Sequence, residues 1–220
     1  LETAVDDYED KLGAYLVKLT GRDMTAEQNE LVSKYLHTIS DLELISDQAL
    51  VIAIGSREAF EKFGQFSGNA DHEMDVMADA VERVTDLAVK AFIDNDLTLA
   101  EQIEPLEEVV DNLCDTMKLN HVDRLQKKIC TIAQGFIFSD IITGCERVSD
   151  HCANIAVAVI VSGHDSYDMH EYLSKLHEDR SSAYQHYFEK FREEYRIELA
   201  ADEVAASTPI VRSASAVFAD

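Results

Sequence analysis

The stretch ERVSDHCANIAVAVIV, residues 146–161, decides the fold because its apolar residues recur at helical spacing. Val148, Cys152, Ile155 and Val159 fall every three or four residues, which places them on one face of an α-helix. A helix this apolar on one face has to bury that face against other elements. The stretch therefore predicts a core helix that is packed inside a helical domain.

Two capping patterns mark where long helices begin. The sequence Thr-x-x-Gln occurs at Thr131 and again at Thr25, and it is typical of a helix N-terminus. The helix that starts at Thr131 is predicted to cover about 131–161, and the one at Thr25 is predicted to end at about Gly55.

Helical periodicity extends over almost the whole chain, whose two prolines are too few for a turn-rich β-fold. Pro105 predicts a kink or a shifted helix start. Phe60, Phe63 and Phe66 follow Gly55 in a short segment, which is expected to be a lid between units rather than a docking surface. The predicted helices cover residues 2–20, 25–55, 70–94, 97–127, 131–161 and 165–199. We expect an all-α, antiparallel helical bundle.

The bundle contains an internal repeat. ELISDQ at 43–48 and ERVSDH at 146–151 both lie late in a long helix that follows a Thr-x-x-Gln cap. The predicted units are 1–66, which shows two helices and the Phe-rich segment, and 67–162, which shows three helices. A closing helix is expected at 163–199 to complete the first unit, because two helices alone leave an apolar face uncovered. The tail, 200–220, is expected to be extended or disordered.

Each unit carries two pairs of acidic residues spaced i and i+4, which places both carboxylates on one helix face. The pairs are Asp6 with Asp10, Glu43 with Asp47, Glu107 with Asp111, and Glu146 with Asp150. Every pair is rotated in the same sense from the apolar face of its helix. In antiparallel helices such offsets bring two pairs to the same side of the hairpin, so four carboxylates are expected to converge in each unit. In the first unit the two pairs match less well in height.

Converging carboxylates are typical of a site for hard cations. The candidate ions are magnesium, calcium, manganese, iron and zinc, and the eight paired residues are the candidate ligands. Acidic pairs are common by chance in so acidic a chain, so a solvated acidic face is the alternative for any single pair. His151 projects away from Asp150 and is expected to lie beside the site or at the surface.

Composition sets the class of partner. The formal net charge is −24, with 43 acidic and 19 basic residues, which opposes binding to nucleic acid and anionic membranes. It favours cations and basic protein faces. No apolar run approaches the roughly 20 residues that span a bilayer. The four cysteines, without a C-x-x-C pair, are expected to be reduced and mostly buried. The chain begins at Leu1 without a Met, so we expect it to be a fragment of a longer protein.

The second unit resembles the PhoU domain family. The resemblance rests on His121-x-x-Arg124-Leu125, on Cys130, Gly135, Phe138 and Asp140, and above all on residues 146–156. More narrowly, it resembles the cytosolic PhoU-like domain at the C-terminus of bacterial sodium/phosphate cotransporters. The first unit departs from this pattern, with Leu44, Gln48 and Val51 in place of Arg, His and Asn.

The resemblance implies two tandem three-helix repeats, surface metal sites formed by the Glu/Asp-x-x-x-Asp pairs, and a regulatory, non-catalytic role in phosphate uptake. The implied partners are the transmembrane part of the transporter or phosphate-sensor proteins, and a homodimer is a candidate assembly. The implied location is the cytoplasm or the cytoplasmic face of the inner membrane. A standalone PhoU-type regulator is the close alternative.

A carboxylate-metal enzyme is the alternative of another class, and it would need an open pocket with perturbed groups. Neither a nucleophile elbow nor a phosphate-binding glycine loop is present. His164, His170, His177 and His186 offer a further transition-metal group, although a solvated helix face is the more ordinary explanation of their spacing.

Overall fold

The structure, a computed structural model, describes residues 1–163 and 182–198. Within these residues it contains helices and no strands, which confirms the all-α prediction. The helices are α1 (Glu2–Thr20), α2 (Ala26–Phe63), α3 (Gly68–Asp94), α4 (Leu97–Ala100), α5 (Ile103–Gln126), α6 (Ile132–Gly163) and α7 (Ser182–Glu194). Among them, none is both long and apolar enough to cross a membrane.

Both predicted capping boxes form. The Thr25 side chain accepts a hydrogen bond from the Gln28 backbone N–H at 3.2 Å, and the Gln28 side chain accepts one from the Thr25 N–H at 3.0 Å. Thr131 and Gln134 make the same reciprocal bonds at 3.2 and 2.8 Å. Because each box satisfies two N–H groups that a helix start leaves free, it fixes where α2 and α6 begin.

The prediction that the second helix ends at about Gly55 is wrong, since α2 continues to Phe63. Gly55 lies inside the helix, and its lack of a side chain makes room for a close neighbour. A Cβ there would lie 3.1 Å from Ile141 Cγ1. The residue that ends the helix is Gly64, whose φ of 83° is strained for any residue with a side chain.

Of the expected Phe-rich segment, Phe60 and Phe63 consequently form the end of α2, and Phe66 lies in the loop before α3. Phe63 and Phe66 pack against the core, whereas Phe60 is 70% exposed. Phe60 therefore does not close a lid between units.

Pro105 shifts a helix start, as predicted. The short α4 ends at Ala100, α5 begins at Ile103, and Pro105 lies in the first turn of α5, where its missing N–H costs no hydrogen bond.

The two long helices α2 and α6 pack against each other and form the spine of the molecule. They run antiparallel, because Gly55 meets Ile141 while Ile52 meets Gly144. A Cβ at Gly144 would lie only 2.9 Å from Ile52 Cγ1, so both glycines allow close approach of the two helices. On one side of the spine α1 packs on α2, and on the other side α3 and α5 pack on α6.

A buried ion pair joins α3 to α5. Glu73 is fully buried, and its Oε1 accepts hydrogen bonds from Arg124 Nη1 and from Asn120 Nδ2, both at 2.8 Å. The Arg124 guanidinium also lies over the Phe138 ring of α6. Charge in the core is tolerated here because it is paired and hydrogen-bonded.

The closing helix does not lie where the sequence placed it. The described helix α7 packs along α5, where Tyr184 donates a hydrogen bond to Glu108, and it makes no packing contact with α1 or α2. Phe191 of α7 is completely buried in the core that α3, α5 and α6 share. The prediction that this helix completes the first unit is therefore wrong for the described residues, because its apolar face is used by the second unit.

The α1–α2 hairpin accordingly keeps part of its apolar surface exposed. The exposed residues include Tyr8, Leu12, Tyr15 and Val17. Residues 164–181 and 199–220, with the predicted tail, His164, His170 and His177, lie outside the described part of the chain. His186 is exposed on α7.

Candidate metal centre

Three carboxylates meet where α5 and α6 run side by side. Glu107 and Asp111 project from successive turns of α5, and Asp150 projects from α6. One oxygen of each lies within 4.8 Å of an oxygen of the other two. The i, i+4 spacing puts Glu107 and Asp111 on one face, and the hairpin brings Asp150 to the same height. We call these three residues, with the neighbouring Glu146, the second cluster.

The same arrangement recurs where α1 and α2 run side by side. Glu2 and Asp6 of α1 meet Asp47 of α2, again with one oxygen of each within 4.8 Å of the others. We call these three residues, with the neighbouring Glu43, the first cluster.

The two clusters correspond residue by residue. Glu2 and Asp6 stand 105 positions before Glu107 and Asp111, and Glu43 and Asp47 stand 103 positions before Glu146 and Asp150. The internal repeat thus reproduces a three-dimensional constellation.

A shared feature sets these clusters apart from ordinary surface acids. Asp6 Oδ1 and Asp111 Oδ1, at corresponding positions, are both buried from water and have no hydrogen-bond partner. Burial of an uncompensated carboxylate oxygen costs free energy, and a cation removes that cost. A cation between the two helices would meet this same need in both halves.

Burial, reinforced by repulsion between the carboxylates, raises the pKa values of three acids in the second cluster. Burial, and then the Asp111 carboxylate, raise the pKa of Glu107 to about 8. Burial, followed by Asp150 and Glu146, raises the pKa of Asp111 to about 6. The pKa of Asp150 is also raised, by burial and by Glu146. Three carboxyls that resist ionisation together are in a position to gain from a bound metal ion.

Glu146 differs from its neighbours because donors surround it. Its Oε2 accepts a hydrogen bond from Cys114 Sγ at 2.9 Å and one from Lys118 Nζ at 3.2 Å. Burial opposes its ionisation, but these two contacts outweigh burial and lower its pKa. Burial and the bond to Glu146 raise the Cys114 pKa to about 12, so the thiol stays protonated as the donor.

Glu43, the counterpart of Glu146, has acidic neighbours instead. Its pKa is raised by burial and then by Asp47, Asp6, Glu9 and Glu2. Among the described residues, no lysine or arginine forms an ion pair with the first cluster.

Five of the eight predicted site residues contribute to the two groups of converging oxygens, Glu43 and Glu146 lie beside those groups, and Asp10 lies in neither. The exposed Asp10 is one turn too far along α1, and Glu2 takes the expected place. The turn between α1 and α2 sets the height at which the two helices face each other, and the sequence predicts that height only approximately. Glu2 could have been found as another acid four residues before Asp6.

His151 is beside the site, as expected, but its role was missed. Its Nδ1 lies 3.0 Å from Asp41 Oδ1, an oxygen that also accepts a bond from Asn154 Nδ2 at 3.1 Å. These contacts tie α6 to α2. The counterpart of Asp41 in the repeat is Gly144, which explains why Gln48 and Val51 replace histidine and asparagine in the first unit.

The donor set fits hard cations. Each cluster offers only carboxylate oxygens on helices, partly open to water, as suits magnesium, manganese or calcium ions that keep some water ligands. Structural zinc prefers nitrogen and sulfur donors. The Cys114 thiol is protonated and donates a hydrogen bond to Glu146, so it is poorly suited to bind zinc.

The cysteines of the chain are free and mostly buried. All four cysteines are free, and Cys114, Cys145 and Cys152 are buried, as the sequence predicted. Burial raises the pKa of both Cys145 and Cys152 to about 11, so neither is a reactive thiolate.

Comparison with protein families gives one match. Residues 74–159 match the PhoU domain model, from α3 to near the end of α6. A PhoU domain is therefore found over these residues, and the second cluster lies inside it. No curated protein and no solved structure shows a significant match to the chain.

Proposed function

We propose that the chain is a non-catalytic regulatory module of phosphate transport that binds divalent cations at its two carboxylate clusters. The PhoU domain at 74–159 indicates regulation of phosphate transport. The observation that carries the metal proposal is the matched pair of clusters, each with one buried oxygen that lacks a partner.

A cation at either cluster would join two helices of one hairpin. It would bind Glu2, Asp6 and Asp47 in the first half, and Glu107, Asp111 and Asp150 in the second. Because the carboxylates within each metal-free cluster repel one another, binding of a cation would tighten each hairpin and change the net charge of the surface around the cluster. A surface whose charge depends on metal is suited to control docking of a basic partner face.

The partner we favour is the membrane-embedded part of a sodium/phosphate cotransporter, at the cytoplasmic side of the membrane. The resemblance of residues 146–156 to the domain attached to such transporters supports it, as does the net charge of −24. A standalone regulator of phosphate transport and signalling would use the same clusters and remains the alternative.

Geometry disfavours the enzyme alternative. Both clusters lie where the two helices of a hairpin run side by side, and Asp150 is exposed at the surface. The thiol nearest to either cluster, Cys114, has a raised pKa and already serves Glu146. A hydrolytic or oxidative enzyme would need a substrate cleft with an activated nucleophile or base there.

The test is metal analysis of the untagged protein. Inductively coupled plasma mass spectrometry after dialysis against manganese or magnesium should find about two ions per chain, one for each cluster. The double variant Asp111→Asn, Asp150→Asn should lose one ion. Asp123→Asn, an exposed acid on the same helix α5, is the matched control and should lose none. Retention of both ions in the double variant, or absence of metal from the wild type, would overturn the metal proposal.

Transport is tested separately. Phosphate uptake by cells that express the intact protein should change when both clusters are neutralised, and should not change with Asp123→Asn. If metal binding is lost while uptake and its regulation stay the same, the metal sites do not regulate transport.

A further inference from the structure

The two clusters differ in one position that carries charge. Lys118 lies on α5, seven residues after Asp111, and its counterpart seven residues after Asp6 on α1 is Gly13. Lys118 Nζ is 3.2 Å from Glu146 Oε2 and 4.0 Å from Asp115 Oδ1. The second cluster thus already holds one cation, tethered to the protein, whereas within residues 1–163 and 182–198 no basic side chain pairs with the first cluster.

The Lys118 side chain can move away from Glu146. Its side chain is 41% exposed and that of Glu146 is 31% exposed, so the ion pair is open to water and the lysine can exchange it for solvent. In its present position it neutralises one of the four carboxylates. An incoming metal ion would face a positive charge beside it and a carboxylate already in use.

The first half offers no such competitor. A Cβ at Gly13 would meet only Ile39 Cδ1, at 3.9 Å, an ordinary contact, so a side chain is sterically tolerated there. Glu9 takes the place of Cys114 in this half and adds a further negative charge near Glu43. The first cluster therefore attracts a cation more strongly.

We propose that Lys118 is a built-in competitor that weakens cation binding at the second cluster, so that the two halves fill in order as the cation concentration rises. This inference rests on the proposed metal binding and adds its regulation. The first cluster fills at low concentration. The second fills at a higher concentration, because the Lys118 ammonium, which acts electrostatically on the ligand Asp111, opposes the incoming ion.

The test uses Mn²⁺ as the probe and isothermal titration in single-site backgrounds. Asp47→Asn leaves the second cluster as the site under observation, and Asp150→Asn leaves the first. In the Asp47→Asn background, Lys118→Met removes the charge but keeps the length, and it should tighten Mn²⁺ binding roughly tenfold. Lys127→Met, which removes an exposed lysine paired with Asp123 on the same helix, is the matched control and should have no effect.

The reciprocal change should do the opposite. In the Asp150→Asn background, Gly13→Lys should weaken Mn²⁺ binding by roughly tenfold if it places an ammonium beside Glu43. Circular dichroism and thermal unfolding confirm that each variant is folded. The matched swap separates a local charge effect from a general change in helix stability.

The outcomes distinguish the two proposals. If Mn²⁺ binds both single-site proteins but Lys118→Met leaves the affinity of the second cluster unchanged, the competitor role is wrong and the metal proposal stands. If neither single-site protein nor the wild type binds Mn²⁺, both proposals fail. Tighter binding at the second cluster with no change for Lys127→Met would establish the competitor.

Discussion

The two halves of the molecule carry the same cluster in different surroundings. In the first half, α1 and α2 hold Glu2, Asp6 and Asp47 without a basic neighbour, and apolar side chains remain exposed on the hairpin. In the second half, α3 and α7 cover the α5–α6 hairpin, and Lys118 and Cys114 contact the acids. The two halves share the carboxylates and differ in what lies around them, so comparing the halves separates the effect of the surroundings from that of the carboxylates.

The largest expected effect comes from a substitution that disrupts packing present in the second half and missing from the first. Arg124→Met leaves Glu73 buried with one remaining donor, Asn120, and should lower the free energy of unfolding by about 3–5 kcal/mol. Chemical denaturation measures it. The control Arg83→Met removes an exposed arginine from α3 and should change stability by under about 0.5 kcal/mol.

A second change makes this prediction sharper. Replacing both partners, with Glu73→Met and Arg124→Met together, should recover much of the loss because no unpaired charge then remains buried. A loss for Arg124→Met alone that is no larger than that for Arg83→Met would show that the ion pair does not hold α3 against α5.

Next in size is the response to pH and metal. Glu107, at a pKa of about 8, and Asp111, at about 6, hold their protons at higher pH in the folded chain than when unfolded, so their ionisation weakens the fold. The metal-free protein should therefore lose stability as the pH rises from about 4.5 to 8. Saturating Mn²⁺ at pH 8 should restore it, by about 2.7 kcal/mol at a hundredfold excess over Kd.

Thermal unfolding at pH 5 and pH 8, with and without Mn²⁺, measures both effects. The double variant Glu107→Gln, Asp111→Asn should flatten the pH dependence and lose the Mn²⁺ effect of the second half. Stability that rises toward pH 8 in the metal-free wild type, with no such rise in the double variant, would contradict the raised pKa values.

A smaller effect is expected at the contact between the two halves. Asp41→Ala leaves His151 and Asn154 without their shared acceptor and should cost about 1–3 kcal/mol. Asp41→Asn keeps one acceptor oxygen and should cost less, which makes it the matched variant. Equal losses for the two variants in urea denaturation would mean that the carboxylate charge, rather than the hydrogen bonds, is what matters.

The smallest effect compares features that the repeat has conserved. Thr25→Ala and Thr131→Ala each remove a capping box and should each cost about 1 kcal/mol. Similar losses would show that the two helix starts are equivalent. A negligible loss at Thr25 with a full loss at Thr131 would indicate that the first hairpin does not unfold cooperatively with the second.

The sequence predicted what depends on local pattern. The helices, both capping boxes and the meeting of acidic residues from paired helices follow from spacing along the chain, as Thr131 and Asp111 illustrate. It failed where tertiary packing decides. The sequence predicts a helix end at Gly55. In the structure Gly55 packs closely against Ile141 within α2, and the helix ends at Gly64. The position of α7 depends on which apolar face Phe191 fills, and no local pattern specifies that.

Two features of the site also needed the structure. Glu2 replaces Asp10 because the turn after α1 sets the height at which α1 faces Asp47, and a shift of one helical turn exchanges the residues. The sequence does not single out Lys118, because a lysine among many acidic residues is common. Only the structure gives its distance to Glu146.

The most direct test of the paired clusters is a crystal structure of the protein soaked in Mn²⁺, with an anomalous difference map collected at a wavelength where manganese scatters strongly. The account predicts two peaks, one among Glu2, Asp6 and Asp47 and the other among Glu107, Asp111 and Asp150, with the first stronger at limiting Mn²⁺. A map without a peak at either cluster under saturating Mn²⁺, or with manganese bound only elsewhere, would contradict it.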